Sequence, residues 1–129
     1  LITSTRKYYP NECGFTPEFL ARMYYFQLRR ESQFQSYASS GAGAVGPCQF
    51  IEKTARDYGV NDRHDYRQCI PGMARMMKDL IQKYDCKLDY ALAGYNWGSG
   101  NIAKYGFEQQ PSETRVYIQD VLGPAYGYT

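Results

Sequence analysis

Apolar positions along the chain recur mainly at intervals of three and four, the spacing that puts side chains on one face of an α-helix. The first run begins at Thr16, a suitable N-cap, followed by Pro17 at the first helical position and Glu18 at the positive end of the helix dipole. The pattern predicts an amphipathic helix that carries Glu31 to the edge of a glycine-rich turn. Its apolar face is formed by Phe19, Leu20, Met23, Tyr24 and Leu28.

The same spacing predicts further helices downstream. A short helix is expected over residues 51–58, stopped by Gly59, and two longer apolar stripes follow it. Ser112 is expected to cap a last helix, which Gly123 and Pro124 would close. The three later stripes consist of Met73, Met76, Met77, Leu80, Ile81 and Tyr84; then Leu88, Ala91, Leu92 and Tyr95; then Tyr117, Ile118, Val121 and Leu122.

The chain shows no internal repeat, no linker and no strand pattern longer than a turn. Residues 1–15 are polar and rich in tyrosine, and they end at Cys13-Gly14. We therefore predict a mainly α protein with at most a short β-hairpin near residues 40–50. A length of 129 residues suits a single compact domain, 1–129, with a hydrophobic core.

Composition and charge argue against a nucleic-acid-binding protein and a membrane-spanning helix. Charged residues make up 22% of the chain and the formal net charge is +2, so no strong attraction to nucleic acid is implied. No apolar run approaches the ~20 residues that a membrane-spanning helix needs. The chain begins at Leu1 rather than Met, so the absence of a visible leader says little. Fourteen tyrosines and one tryptophan could line a sugar-binding groove or serve as ordinary core residues.

Four cysteines, Cys13, Cys48, Cys69 and Cys86, are widely spaced without a CxxC pair, which does not favour a zinc site. The single histidine, His64, lies in a polar DRHDYR segment that reads as a solvated loop. An even number of cysteines in a small domain fits two disulfides in an oxidising compartment, and four buried free thiols are the alternative. Of three possible pairings we choose Cys48–Cys69 and Cys13–Cys86 as a guess.

Glu31 is the leading candidate for chemistry. It shares a helix face with Tyr24, Gln27 and Leu28, while Arg29 and Arg30 are expected to point elsewhere. Partial burial and the negative end of the helix would both raise its pKa, which suits a general acid near neutral pH. The alternative is a solvated surface glutamate without a role.

The glycine-rich stretch SSGAGAVGP follows this helix. It lacks the GK[ST] ending of a phosphate-binding loop, and a helix precedes it where a strand would be required. It also lacks the βαβ setting of a dinucleotide site. Two readings stay open: a flexible turn, or a loop that folds closely over a ligand.

Four motifs occur in order: ESQF at 31–34, SGAGAVGPCQF at 40–50, ALAGYNWGSGNI at 91–102 and ETRVYI at 113–118. They resemble the four successive motifs of the soluble lytic transglycosylase catalytic domain, which is related to goose-type lysozymes. The resemblance covers roughly residues 14 to 122 and implies a lysozyme-like fold. Four motifs in register are specific, because both residues and spacing must match.

The resemblance implies a role for each matching position. Glu31 matches the catalytic acid/base, and Ser40 matches a serine that contacts the reacting muramyl region. The implied substrate-binding residues are Ser40, Gln49, Ile51, Tyr95, Asn96 and Tyr117. Two positions depart from the family pattern. Pro47-Cys48 replaces a common Leu-Met, and Ile51 stands where a methionine often lines the cleft, so sugar or peptide preference there is in doubt.

The implied reaction cleaves the β-1,4 bond between N-acetylmuramic acid and N-acetylglucosamine, with Glu31 as the single acid/base and a 1,6-anhydromuramyl product. No cofactor is implied. The implied partner is a peptidoglycan glycan strand, a monomer is expected, and the setting would be periplasmic, secreted or virion-associated. A hydrolysing muramidase and a non-catalytic wall-binding protein stay open as alternatives.

Other carboxylates are weaker candidates. Glu113 opens a predicted helix, where a structural role is favoured. The remaining acidic residues considered lie in a polar stretch and are expected to be solvated, although any of them could reach the cleft: Glu52, Asp57, Asp62 and Asp65.

Overall fold

The computed structural model describes residues 1–127 and is almost entirely helical. Within this range seven α-helices are connected by loops and by two short 3₁₀ turns, at Asn11–Cys13 and Phe107–Gln109. The helices are α1 Ile2–Lys7, α2 Pro17–Ser32, α3 Glu52–Asp57, α4 Tyr66–Lys83, α5 Leu88–Asn96, α6 Ser99–Tyr105 and α7 Ser112–Ala125. The prediction of a mainly α fold is confirmed.

Helix α2 forms as its sequence predicts. The Thr16 hydroxyl accepts a hydrogen bond from the Phe19 N–H at 3.0 Å, which satisfies one of the free donors of the first turn. The helix ends at Gln33, which adopts a left-handed conformation (φ 54°) and donates its N–H to the Arg29 carbonyl. Glu31 therefore lies in the final turn, as expected.

The core lies between α2, α4, α5 and α7. Helix α2 packs against α7, α4 packs against α5, and α5 packs against α7, so that α5 is enclosed by its neighbours. The apolar stripes read from the sequence supply this core. Its fully buried large side chains include Leu20, Met23, Tyr24, Met73, Met77, Ile81, Leu92, Tyr117 and Val121.

Two helices were not predicted, α1 and α6. Helix α1 buries only Thr5 and α6 buries only Ile102, so neither has an apolar stripe to detect. In the described residues the expected hairpin is reduced to two isolated bridges, Ser39 with Val45 and Val45 with Phe50.

The ends of α7 also differ from the prediction. Ser112 is the first helical residue and makes no capping hydrogen bond; Pro111 holds the N-cap position. The helix continues through Gly123 and Pro124 to Ala125. Arg22 of α2 donates to the carbonyls of Pro124 (3.1 Å) and Ala125 (3.2 Å), which supplies partners for the last turn from across the interface.

The cysteine predictions have different outcomes. Cys13 and Cys86 form a disulfide that ties the N-terminal segment to the chain just beyond α4, as predicted. Cys48 and Cys69 are buried with their sulfurs 2.7 Å apart and are not bonded, so the structure brings the predicted second pair together without forming the disulfide. The pair meets because Cys48, directly after the glycine-rich stretch, contacts Cys69 in the first turn of α4.

Candidate active site

A cleft of about 670 Å³ opens beside the end of α2. The glycine-rich loop forms one side, and the segment from the end of α5 to the start of α6 forms another. Six of the seven predicted site residues line it, although they come from three distant parts of the chain: Glu31, Ser40, Gln49, Ile51, Tyr95 and Asn96.

A second depression, of about 710 Å³, lies between α2 and α7 and is more open. Its carboxylate, Asp120, is paired with Arg30 at 3.0 Å. None of the predicted site residues lines this depression. The cleft at Glu31 is therefore the candidate active site.

Glu31 is partly buried in the cleft wall. Burial raises the pKa of its carboxyl to about 7, because removing a carboxylate from water disfavours the charged form. A hydrogen bond from Tyr117 and the charge of Arg30 lower the pKa, and the charge of Glu113 raises it. Arg30 also lines the cleft, contrary to the expectation that it points elsewhere. Near neutral pH, Glu31 can both give and take a proton.

The support beneath Glu31 comes from buried side chains. Tyr117 of α7 is fully buried rather than exposed in the cleft, and burial raises the pKa of its hydroxyl, which stays protonated. Gln27, one helical turn before Glu31, is also fully buried. Its Nε2 donates to the Tyr117 hydroxyl oxygen at 3.3 Å and contacts Met77 Sδ at 3.5 Å. Because its oxygen is engaged by Gln27, the Tyr117 hydroxyl can direct its proton toward Glu31.

Tyr95 lines the cleft, but its hydroxyl does not hold the acid. It donates to the Cys48 carbonyl at 2.7 Å, which ties α5 to the glycine-rich loop. Burial raises the pKa of this hydroxyl well above its usual range. The Tyr95 hydroxyl therefore bonds to the backbone and not to Glu31, and the ring is the part of Tyr95 left for a ligand.

Asn96 is the last residue of α5 and faces the same cleft. Its Oδ1 accepts a hydrogen bond from the Thr114 hydroxyl at 2.9 Å. Thr114 is buried in the first turn of α7, so this bond joins the ends of two helices. Because Oδ1 is held by Thr114, the Nδ2 group of Asn96 remains as a donor for a ligand.

The glycine-rich loop is shaped largely by bonds to its own backbone. The Ser40 hydroxyl accepts from the N–H groups of Ala42 (3.2 Å) and Ala44 (3.1 Å), the local role that serine often has in loops. Gln49 has φ 54°, and its amide donates to the carbonyls of Ala38 (3.2 Å) and Gly46 (2.9 Å). Ile51 is 47% exposed and gives the cleft an apolar surface.

The segment 63–66, which we name the brace, holds this loop from behind. Arg63 donates to the carbonyls of Gly43 (3.1 Å) and Phe50 (3.0 Å). The His64 ring bonds to the Ser36 carbonyl at 2.8 Å, and the Tyr66 hydroxyl donates to the Phe34 carbonyl. Residues 62–65 form a loop, as expected, but the side chains of Arg63, His64 and Tyr66 are half-buried and bonded. Sequence gave no signal for these bonds, because the partners are backbone atoms.

Glu113 is the other carboxylate that lines the cleft. It is exposed in the first turn of α7, where a carboxylate also suits the positive end of the helix dipole. The other carboxylates considered do not line the cleft. Glu52 pairs with Arg56, Asp57 pairs with Lys53, Asp62 accepts the His64 N–H, and Asp65 caps α4.

Several cleft or supporting residues were not assigned to the site from the sequence. Met76 and Trp97 line the cleft, and Gln27 lies beneath it. The available signal for Gln27 was a polar residue within an apolar stripe, on the face of Glu31.

Among residues 1–127 no cluster of three His, Cys, Asp or Glu side chains has a metal-binding arrangement. No helix in the same range is both long and apolar enough to cross a bilayer.

Comparison with known proteins identifies a family. The family model described as the transglycosylase SLT domain matches residues 12–118. Three similar proteins carry the name membrane-bound lytic murein transglycosylase F. They are 33% identical over 95 residues in Desulfosudis oleivorans, 36% over 95 in Vibrio cholerae and 39% over 79 in Cellvibrio japonicus.

These matches cover 69%, 68% and 57% of this chain but only 20%, 18% and 16% of the respective relatives. The chain thus corresponds to a fifth or less of each of them. The family model nevertheless covers most of the chain, from the disulfide at Cys13 through Glu31 to Ile118. This chain belongs to the transglycosylase SLT domain family.

Proposed function

We propose that this chain is a peptidoglycan lytic transglycosylase that cleaves the β-1,4 bond between N-acetylmuramic acid and N-acetylglucosamine. The observation that carries the proposal is the position of Glu31: a carboxyl with a pKa near 7, at the wall of an open cleft. In its protonated form Glu31 donates to the glycosidic oxygen as general acid. The leaving sugar then departs as an alcohol.

The same residue can complete the reaction. As a carboxylate, Glu31 takes the proton from the muramyl C6 hydroxyl, which attacks C1 and closes the 1,6-anhydro ring. A tethered, well-oriented nucleophile can reach effective molarities of ~10⁵–10⁸ M, so a second carboxylate to activate water is not required. The reaction is balanced, because the proton that Glu31 gives to one oxygen is replaced from the other.

The proposed substrate contacts follow from the cleft. Asn96 would donate its amide to the sugar, while the Tyr95 ring and Ile51 would contact its apolar faces. Ser40 and Gln49 would present the glycine-rich loop to the glycan and keep its shape. Tyr117 would act through Glu31, since it is fully buried.

The alternative is a hydrolysing muramidase with Glu31 as the acid and water as the nucleophile. Glu113 favours it, because this second carboxylate lines the cleft and could orient a water molecule. The two reactions differ in their products and not in their acid.

The test is mass spectrometry of the fragments released from purified sacculi. Anhydromuropeptides are expected from the transglycosylase, and fragments with reducing ends would support the hydrolase. Glu113→Gln is the matched variant: it leaves anhydro products unchanged in the first case and suppresses release in the second. Binding to sacculi without release would indicate a wall-binding protein.

The setting and extent of the domain are also proposals. The Cys13–Cys86 disulfide supports a place outside the reducing cytosol, in the periplasm, in a secreted protein or on a virion. A continuous core from Leu20 to Ala125, with Leu1 and Tyr8 packed against it, supports one catalytic domain over residues 1–129. We propose that it acts on glycan strands as a monomer.

A further inference from the structure

One end of the cleft carries an aromatic pair that the proposed chemistry does not use. Trp97 follows α5 and lines the cleft together with Gly98 and Ser99. Tyr105, at the end of α6, stacks on it with ring centroids 6.2 Å apart and an interplanar angle of 26°. We name Trp97 and Tyr105 the aromatic wall.

The wall is not part of the apolar core. Tyr95, two residues earlier, packs against the core, whereas Trp97 does not. Tyr105 is 54% exposed. Large aromatic rings contribute most to stability when they are buried, but Trp97 lines the cleft and Tyr105 is exposed beside it, outside the cleft lining. Packing therefore does not account for them.

The backbone of the wall is held in place. The Trp97 N–H donates to the Ala93 carbonyl at 2.7 Å, and the Trp97 carbonyl accepts from Asn101 Nδ2 at 2.7 Å. Gly98, with φ 107°, turns the chain from α5 into α6 without a side chain beside the indole. The indole is thus presented on a fixed turn, which lowers the entropy lost when a ligand stacks on it.

The size of the cleft suggests what reaches the wall. A volume of about 670 Å³ lies within the ~300–1,000 Å³ of pockets that hold a drug-sized ligand, which is the size of a disaccharide. A disaccharide, with one sugar on each side of the cleaved bond, would fill the cleft. Tyr105 lies outside the lining of the cleft but stacks on Trp97, which is inside, so the wall continues beyond the space for two rings.

We propose that the aromatic wall is a stacking subsite for an additional N-acetylated sugar ring of the glycan strand, and that it makes the protein favour longer strands. The assignment rests on the proposed function. A pyranose ring offers a flat C–H face to an aromatic ring and a rim of hydroxyl and acetamido groups. Neutral polar residues that line the cleft near Trp97, Asn96 and Ser99, match that rim.

A peptide stem is the competing ligand. Its carboxylates would need cations, and Lys104, with Nζ 5.1 Å from the Tyr105 ring centroid, is a cation beside the wall. One exposed ammonium contributes little to binding a carboxylate in water. The two aromatic rings offer the larger surface, and their apolar area favours the sugar.

The protein contains its own reporter, because Trp97 is its single tryptophan. The experiment uses the Glu31→Gln protein, in which bonds are not cleaved, and titrates it with chitooligosaccharides of two to six units. We expect a saturable change in tryptophan emission and an affinity, measured in parallel by calorimetry, that increases with oligosaccharide length.

Tyr105→Ala in the same background is expected to weaken binding of the longer oligosaccharides by about 2–10-fold and to leave the disaccharide nearly unchanged. Trp97→Ala should weaken binding more, and Trp97→Phe should restore part of it. Tyr126→Ala is the matched control, since Tyr126 is also 54% exposed but lies beyond α7, against Phe19.

Three results would overturn the subsite: oligosaccharide binding without a change in emission, no dependence on length, or equal effects of Tyr105→Ala and Tyr126→Ala. Glycan fragments that carry a peptide stem are titrated in the same way, and a loss of affinity in Tyr105→Ala for these fragments alone would assign the wall to the peptide. The outcome is separate from the proposed function, because binding is measured without turnover and the reaction is judged by its products from sacculi.

Discussion

The two sides of the cleft are built in different ways. The acid side consists of Gln27, Glu31 and Tyr117, whose positions depend on side chains packed between α2 and α7. The loop side, residues 38–51, is held by hydrogen bonds to backbone atoms, both within the loop and from Arg63. Packing can displace water and change a pKa, whereas backbone bonds fix a shape while the loop stays near water.

This contrast separates chemistry from shape. Substitutions on the acid side should change rates and pH dependence with small effects on the loop. Substitutions on the loop side should change stability and glycan binding without altering the pKa of Glu31.

The largest effect is expected at the acid itself. Glu31→Gln keeps the size and neutrality of the protonated side chain but cannot transfer a proton, so turnover should fall by ~10²–10⁴ or more. Release of fragments from sacculi measures it. Glu113→Gln is the control and should retain most of the activity. If turnover survives Glu31→Gln but is lost in Glu113→Gln, then Glu113 and not Glu31 is the general acid.

On the loop side, Gly46→Ala should have the largest effect. Gly46 has φ 85°, and an added Cβ would overlap the Arg63 carbonyl group, lying 2.6 Å from its carbon atom. Since backbone atoms cannot move aside cheaply, we expect a loss on the order of 3 kcal/mol in the free energy of unfolding.

Gly43→Ala is the matched control for this prediction. Gly43 lies in the same loop with φ 89°, but an added Cβ would meet open space. Only the conformational cost of about 1 kcal/mol is expected. Urea denaturation of both variants compares them, and equal losses would show that the contact with the brace does not matter.

The pH dependence of stability should show the burial of Glu31. Between its ordinary pKa of 4.5 and its folded pKa of about 7, the unfolded chain releases this proton while the folded chain keeps it. The folded state then binds more protons, so its stability falls as the pH rises through this window. Glu31→Gln removes this penalty. As the pH rises from 4 to 8, the free energy of unfolding of the variant should come to exceed that of wild type by about 1–3 kcal/mol.

Glu18→Gln gives the opposite sign and serves as the control for the same measurement. A backbone hydrogen bond and then Arg6 hold the pKa of Glu18 below its usual value. Its contribution is present above the ordinary pKa of 4.5 and is lost as the pH falls through its lowered pKa. A Glu31→Gln protein that loses stability at pH 8 relative to wild type would contradict the assigned burial.

The smallest expected effect is a shift of the pH profile in Tyr117→Phe. The hydroxyl of Tyr117 stabilises the charged form of Glu31, so its removal should move the alkaline limb of activity to higher pH, by up to about one unit. Tyr95→Phe is the control, because that hydroxyl bonds to the Cys48 carbonyl. If the pH profile shifts equally in Tyr117→Phe and Tyr95→Phe, the Tyr117 hydroxyl has no specific effect on the pKa of Glu31.

Sequence reasoning was most successful where contacts are local. Helix α2, its Thr16 cap and the place of Glu31 in its last turn depend on residues within a few positions of each other. The grouping of Ser40, Gln49, Tyr95 and Asn96 with Glu31 came from motif spacing, and all of them line one cleft. Their individual roles stay predictions.

Several of the failures have a different cause in common. Helix α7 continues past Gly123 because Arg22, about 100 positions earlier in the chain, provides partners for its last carbonyls. The Tyr95 hydroxyl turned to a backbone carbonyl 47 residues away, and the brace does the same for the loop. A backbone acceptor is present at every residue, so the sequence contains no mark that distinguishes the one chosen.

By itself, the sequence determined the helical class, the acid on its helix and the motifs that identify the family, because helical periodicity, capping and motif spacing are written in the order of residues. Only the tertiary structure decided the pKa of Glu31, the support from Gln27 and Tyr117, and the shape of the loop side. Burial and long-range hydrogen bonds depend on which distant atoms meet, and that is settled only when the chain is folded.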